Sequence, residues 1–230
     1  MFGIKKASWI FFIGMFAGLQ MMNTKNIYAQ DSLAFGDKEW VTEALLGKIY
    51  ILPAKTYLLP DFETLEAAGN LYTKKIDIPA RNWNTTLPGI DSLNEAFGVV
   101  YTAQFIAKKP GNYTFRLLSD DGAKLYINKK LLIDNDGIHG PDSKLGNITL
   151  NNSKHSIRLE YFQGSKPQLA LQLFATLEKE SEAVFSSDNF TLITPAKKKT
   201  GPGLLMYGGA GLILLLLFYV WFRKKKKPVT

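Results

Sequence analysis

From Lys48 to Phe174 the apolar residues recur at every second position, not at the 3.6-residue spacing of a helix. Tyr113-Thr-Phe-Arg-Leu117, Lys124-Leu-Tyr-Ile-Asn128, Ile157-Arg-Leu-Glu-Tyr161 and Leu169-Ala-Leu-Gln-Leu173 all alternate. Successive side chains of a strand point to opposite faces, so such runs put one face in a core and the other in water. Between them lie turn-forming clusters: Lys109-Pro-Gly-Asn112, Asp120-Asp-Gly122, Asp134-Asn-Asp-Gly137, Asn151-Asn-Ser153 and Gln163-Gly-Ser165. Many short strands at this spacing predict an all-β fold, an antiparallel β-sandwich or barrel. Val99 to Ile106 is longer and more apolar, as expected of a central strand. Pro60 to Glu66 is less regular and reads as a short helical turn with Asp61 at its N-cap.

The ends of the chain differ from its middle. All 20 acidic residues lie between Gln30 and Ala196, alongside 17 Lys and Arg, a net charge of −3. The overall +8 therefore belongs to the termini. It speaks of membranes and export, and argues against a nucleic-acid partner. There is no cysteine, so disulfides and thiolate metal sites are excluded and the fold must rest on its apolar core.

Lys5 and Lys6 precede an apolar run to Leu19, and Ala29 follows polar residues. That order reads as a signal peptide over 1–29, with an uncleaved anchor as the alternative. Gly203 to Phe222 is 20 residues without a charge, followed at once by Arg223 and four lysines. As a helix it would span about 30 Å, the thickness of a bilayer core. The basic cluster predicts that 223–230 stays in the cytoplasm. Together these give an extracytoplasmic domain over 44–177, a charged and Ser/Pro-containing stalk over 178–202, one transmembrane helix over 203–222 and a basic tail. The pattern fits a bacterial envelope.

The run from Lys108 to Gly137, with its Lys-Lys-Pro-Gly-Asn-Tyr-Thr-Phe opening and Ser-Asp-Asp-Gly-Ala centre, resembles the protective-antigen-type (PA-fourteen) domain family. Gly146-Asn-Ile-Thr-Leu150, Lys154-His-Ser-Ile-Arg-Leu-Glu-Tyr161, Gly47-Lys-Ile-Tyr-Ile-Leu52 and Pro60-Asp-Phe62 extend the resemblance over about 44–177. It implies an antiparallel β-sandwich of the kind found in toxins, glycosidases and adhesins. In the yeast adhesin members two adjacent aspartates joined by a cis peptide hold calcium, which binds a glycan. The matching pair here is Asp120-Asp121, followed by Gly122. Calcium favours hard oxygen ligands, and vicinal sugar hydroxyls can complete its shell. The adhesins also use an Asn from a later loop; the corresponding stretch here, Phe162 to Gln168, offers Gln163 and Gln168 instead.

Two readings of this pair stand open. Asp120 and Asp121 are calcium and glycan ligands with Gln163 beside them, or their carboxylates cap backbone N–H groups and shape a turn. Asp134-Asn-Asp-Gly137 is read as a structural turn, since it lacks the Glu that closes a calcium loop. His139 is expected to be solvated or packed, and His155 to lie at the surface. Trp83, Tyr161 and Phe162 are aromatic candidates for stacking on sugars, or else core residues. No G-x-S-x-G, H-E-x-x-H or phosphate-binding glycine loop is present, which points away from an enzyme. The expected function is a membrane-anchored carbohydrate-binding module; the alternative is a protein-interaction or scaffold module that meets an envelope or surface protein.

Overall fold

The computed structural model describes residues 34–82, 93, 95–164 and 168–196. Among them twelve strands form two antiparallel sheets. The larger contains β2 (Gly69–Thr73), β1 (Leu45–Ile51), β4 (Phe97–Ala107), β9 (Lys154–Gln163), β6 (Ala123–Ile127) and β7 (Lys130–Asn135) in that order, with β12 (Phe190–Ile193) also pairing with β4. The smaller is ordered β11 (Ala183–Val184), β10 (Gln168–Leu177), β5 (Gly111–Asp120), β8 (Asp142–Leu150), with β3 (Asp77–Asn82) beside β10. The period-two reading is thus met: the chain is an antiparallel β-sandwich with a single short 3-10 turn, Phe62–Thr64, among the described residues.

Alternation sets which side chains meet. Phe97, Val99, Tyr101, Ala103 and Phe105 of β4, with Ile157, Leu159 and Tyr161 of β9, face Phe115 and Leu117 of β5 and Leu169, Leu171 and Leu173 of β10 in one core. Each Val, Leu, Ile or Phe among them, withdrawn from water, contributes roughly 1.5–3 kcal/mol. The long apolar strand is central as expected: β4 pairs with β9 on one edge and with β1 and β12 on the other. His155 belongs to the inward series that continues through Ile157 and Leu159, so it is buried rather than at the surface. Its ring stacks near Phe105 (centroids 5.5 Å apart) and its nitrogens meet Asn128 Nδ2 and the Asn151 carbonyl.

A second, smaller core lies on the outer face of the larger sheet. Tyr50, Leu52, Val100 and Phe162 pack there under Phe62, with Leu59 at the margin. The 3-10 turn that delivers Phe62 is capped as predicted, the Asp61 carboxylate accepting the Glu63 N–H at 3.1 Å. Phe62 can seat only because residue 98 is glycine; a Cβ there would come within 2.6 Å of its ring.

The domain is longer than the sequence pattern suggested. The stalk expected over 178–202 is corrected for its described part, because 183–193 completes both sheets. Phe185, Phe190 and Leu192 are buried, and the two rings stand edge-on to Phe105 at 5.5 Å. At the other end Phe35 is buried, its carbonyl accepting the Tyr101 hydroxyl at 2.6 Å. Asp37 exchanges backbone hydrogen bonds with Tyr72, and Ala44 N–H donates to Thr194 Oγ1 at 2.8 Å. The expected signal peptide (1–29), transmembrane helix (203–222) and basic tail (223–230) lie outside the described residues.

If 183–193 belongs to the core, Phe190→Ala lowers unfolding free energy by about 3–5 kcal/mol. Leu145→Ala, on a side chain 64% exposed, changes it by less than about 0.5 kcal/mol. Urea denaturation of the two variants against the native chain checks this; equal midpoints for Phe190→Ala and the native chain would restore the stalk.

Candidate functional site

Asp120 ends β5, and Asp121-Gly122 turns the chain into β6. The Asp120–Asp121 peptide bond is cis. Both residues are buried, Asp120 to 1% and Asp121 to 0% exposure. A carboxylate taken from water requires hydrogen-bond donors, and Asp121 has two from separate loops. Its Oδ1 accepts the His139 N–H at 3.3 Å, and its Oδ2 accepts the Gly164 N–H at 2.9 Å. Asp121 therefore ties the β7–β8 loop to the chain leaving β9.

Two glycines let these segments close on one another. A Cβ on Gly122 would meet the Phe162 ring, the Gly137 nitrogen at 2.8 Å and Asp136 Oδ1 at 2.9 Å. A Cβ on Gly164 would lie 3.0 Å from Asp121 Oδ2 and 3.2 Å from Ile138 Cδ1. The Gly122 carbonyl in turn accepts the Phe162 N–H at 2.9 Å.

The three residues expected at a ligand come together at this end of the sandwich, and all three are buried. Gln163, expected beside the ligand, is instead turned inward with 0% exposure. Its Nε2 donates to the Gln168 carbonyl at 2.9 Å, and its Oε1 faces the Tyr161 hydroxyl. That hydroxyl also lies 2.7 Å from the Asp120 carbonyl, so its one proton serves either acceptor. Burial, and then the neighbouring charges of Asp121 and Asp120, push the Tyr161 phenol well above its usual pKa, which keeps it a donor. Tyr161 and Phe162 are wholly buried and so belong to the core, not to a stacking surface. Trp83 lies outside the described residues.

The Asp134-Asn-Asp-Gly137 segment is a structural turn. Asp134 Oδ1 accepts the Asp136 N–H, and Asn135 Nδ2 donates to Ser119 Oγ at 2.8 Å and to the Asp142 carbonyl. Asp136 binds the Gly137 N–H and, across the outer face, the Leu59 N–H at 2.8 Å; its other oxygen pairs with Lys124 at 2.8 Å. His139 folds back on its own loop, its two ring nitrogens against the Gly140 and Asn135 carbonyls. The Leu59–Asp136 bond brings in the Pro53–Pro60 loop, which no motif singled out. Its only sequence signals are the bracketing prolines and three consecutive large residues, Tyr57-Leu-Leu59. Tyr57 and Leu58 are 65% and 62% exposed.

Calcium takes six to eight oxygens. Among the described residues no group of three or more His, Cys, Asp or Glu converges. The corner offers the Asp120 and Asp121 carboxylates, the second already holding two backbone N–H groups, and the Gln163 amide points inward. Any calcium held here would take the Asp120 and Asp121 carboxylates and draw its remaining oxygens from backbone carbonyls, water or ligand hydroxyls.

A family model described as the PA14 domain matches residues 52–188. The anti-sigma-I factor RsgI3 of Acetivibrio thermocellus is 25% identical over 134 residues, 57% of this chain and 21% of that protein. The chain thus spans about a fifth of that curated relative. Among solved structures, an anti-sigma factor domain-containing protein superposes with a TM-score of 0.55 at 20% identity, covering 70% of this chain and 50% of that one. A PA14 sugar-binding domain from an RTX adhesin gives a TM-score of 0.56 at 18% identity, covering 66% of this chain and 99% of that one.

Asp121→Ala strands two backbone N–H groups, each costing about 1–3 kcal/mol. The expected result is faster hydrogen exchange at the His139 and Gly164 amides than at the β4–β9 ladder, read by NMR. Uniform exchange across the domain would mean that the carboxylate does not hold the loops.

Proposed function

The chain belongs to the PA14 domain family, and from that premise we propose that it is an extracytoplasmic, membrane-anchored module that binds carbohydrate at the loop end of its sandwich. The observation that carries this is Asp121, a fully buried carboxylate whose oxygens each hold a different loop. Loops fixed before a ligand arrives lose little entropy on binding it. The sugar-binding RTX adhesin domain, which shares the fold over nearly its full length, supports the ligand class. The apolar run Gly203 to Phe222 and the basic tail support the anchor. The absence of a nucleophile–base pair from the sequence motifs supports a binder rather than a catalyst.

A second reading has its own support. The matched relative is an anti-sigma factor, so the same domain would act as the outer part of an envelope signalling assembly, meeting a protein. A glycan array separates the two. Binding of the native chain to one glycan class, weakened at least about tenfold by Asp121→Ala, is the expected outcome. Silence on the array with capture of an envelope protein would favour the second reading. Chelator on the same array tests calcium: loss of binding, restored by added calcium, would make the ion a partner of Asp120 and Asp121. Carbonate extraction of fractionated cells tests the anchor, with the chain expected to stay in the membrane pellet.

A further inference from the structure

We propose that Tyr57 is the platform on which the bound sugar ring stacks. This rests on the carbohydrate-binding reading above and adds a residue and a ligand class to it. Among the described residues Tyr57 is the one aromatic side chain that is mainly exposed; the others are buried or half-buried. Its ring face is therefore open to a partner. Its hydroxyl makes no hydrogen bond among the described residues, so both parts of the side chain are available.

The loop that presents it is held at both ends and in the middle. Leu52 N–H donates to the Ala96 carbonyl at 2.8 Å. Thr56 closes a turn on Pro53 through its N–H at 3.1 Å and its hydroxyl at 2.8 Å. Leu59 N–H is bound to Asp136 at 2.8 Å, and Leu52 and Leu59 pack into the outer-face core. A large apolar side chain exposed on such a fixed loop loses water contact on binding without a large ordering cost.

The same bonds set Leu59 beside the Asp121 corner. The Asp136 oxygen that accepts Leu59 N–H is the one that a Cβ on Gly122 would approach at 2.9 Å. Tyr57 stands two residues from Leu59. Ile138, 40% exposed, borders Gly164 on the other side of that corner. A pyranose has a C–H face for the ring and hydroxyls at its rim for the phenol and for loop backbone groups. Tyrosine combines an apolar body with a polar tip in the same way. The ligand class that fits is a hexopyranose that offers one face of ring C–H groups to the tyrosine.

The experiment compares the full-length native chain with Tyr57→Ala, Tyr57→Phe and Tyr57→Trp on a glycan array, followed by calorimetric titration of the best glycan. Tyr57→Ala is expected to lose at least about tenfold in affinity with an unchanged urea midpoint, since the side chain is exposed. Tyr57→Phe is expected to stay within about threefold. Tyr57→Trp is expected to bind and to show a glycan-dependent blue shift in emission. Native affinity in Tyr57→Ala, or a tryptophan that is blind to the glycan, overturns Tyr57 alone. A native chain that binds no glycan overturns this proposal together with the carbohydrate reading. An apolar protein partner captured in a Tyr57-dependent way would assign the platform to a protein and overturn it equally.

Discussion

A carboxylate withdrawn from water is costly unless donors replace the solvent, and the loop end of this domain is arranged around that need. Asp121 finds its donors in the N–H groups of His139, 18 residues away, and Gly164, 43 residues away. Neither donor belongs to a strand ladder. Without the carboxylate, each segment would lose one tie to the β5–β6 turn, leaving Asn135 to Ser119, Asp136 to Lys124 and the Phe162 N–H to the Gly122 carbonyl. The flanking glycines matter for the same reason. Gly122 and Gly164 leave no Cβ where Gly137, Ile138 and the carboxylate must pass.

Asp136 performs a related task by a different chemistry. Its side chain is 12% exposed and its charge is matched by Lys124 at 2.8 Å, so it carries a buried charge with a counter-ion where Asp121 carries one on neutral dipoles. Its second oxygen joins the Pro53–Pro60 loop to the β7–β8 loop. The outer-face core beneath Phe62 supplies the apolar half of that anchoring. The exposed tip at Tyr57 and Leu58 is therefore held from two sides by interactions of different kinds. Salt weakens only one of them.

The strands, their turns and the acidic pair were legible because period two is a direct consequence of the pleat. The same rule, carried further, also held two answers that motif reasoning passed over. His155, Ile157, Leu159, Tyr161 and Gln163 form one inward series on β9, so both the histidine and the glutamine had to face the core. Burial of Phe185 and Phe190 was harder to read. β11 and β12 are two and four residues long, too short to alternate, and they sit among charged and Ser residues. Their rings were the only signal. Tyr57 lies in no periodic run, and only tertiary packing decides whether a loop aromatic is covered or left open.

The register of β4 relates the Asp121 end to the rest of the described domain. Phe97, at one end, pairs with Gln163 next to the Asp121 corner. Gln104, seven residues on, pairs with Ile193, near where the chain leaves the sheet. At about 3.4 Å per residue the two points are roughly 24 Å apart. Thr194 meets Ala44 at that far level, with Leu46 beside Thr102. The C-terminal end of the described domain thus leaves the sandwich away from the loops held by Asp121 and Asp136, whereas Phe35, near its N-terminal end, packs against Phe97 and Tyr161. The same separation means that a ligand at Tyr57 would not touch the C-terminal strands directly. Between the two levels the core packing along β4 and its neighbours is continuous from Phe97 to Phe190.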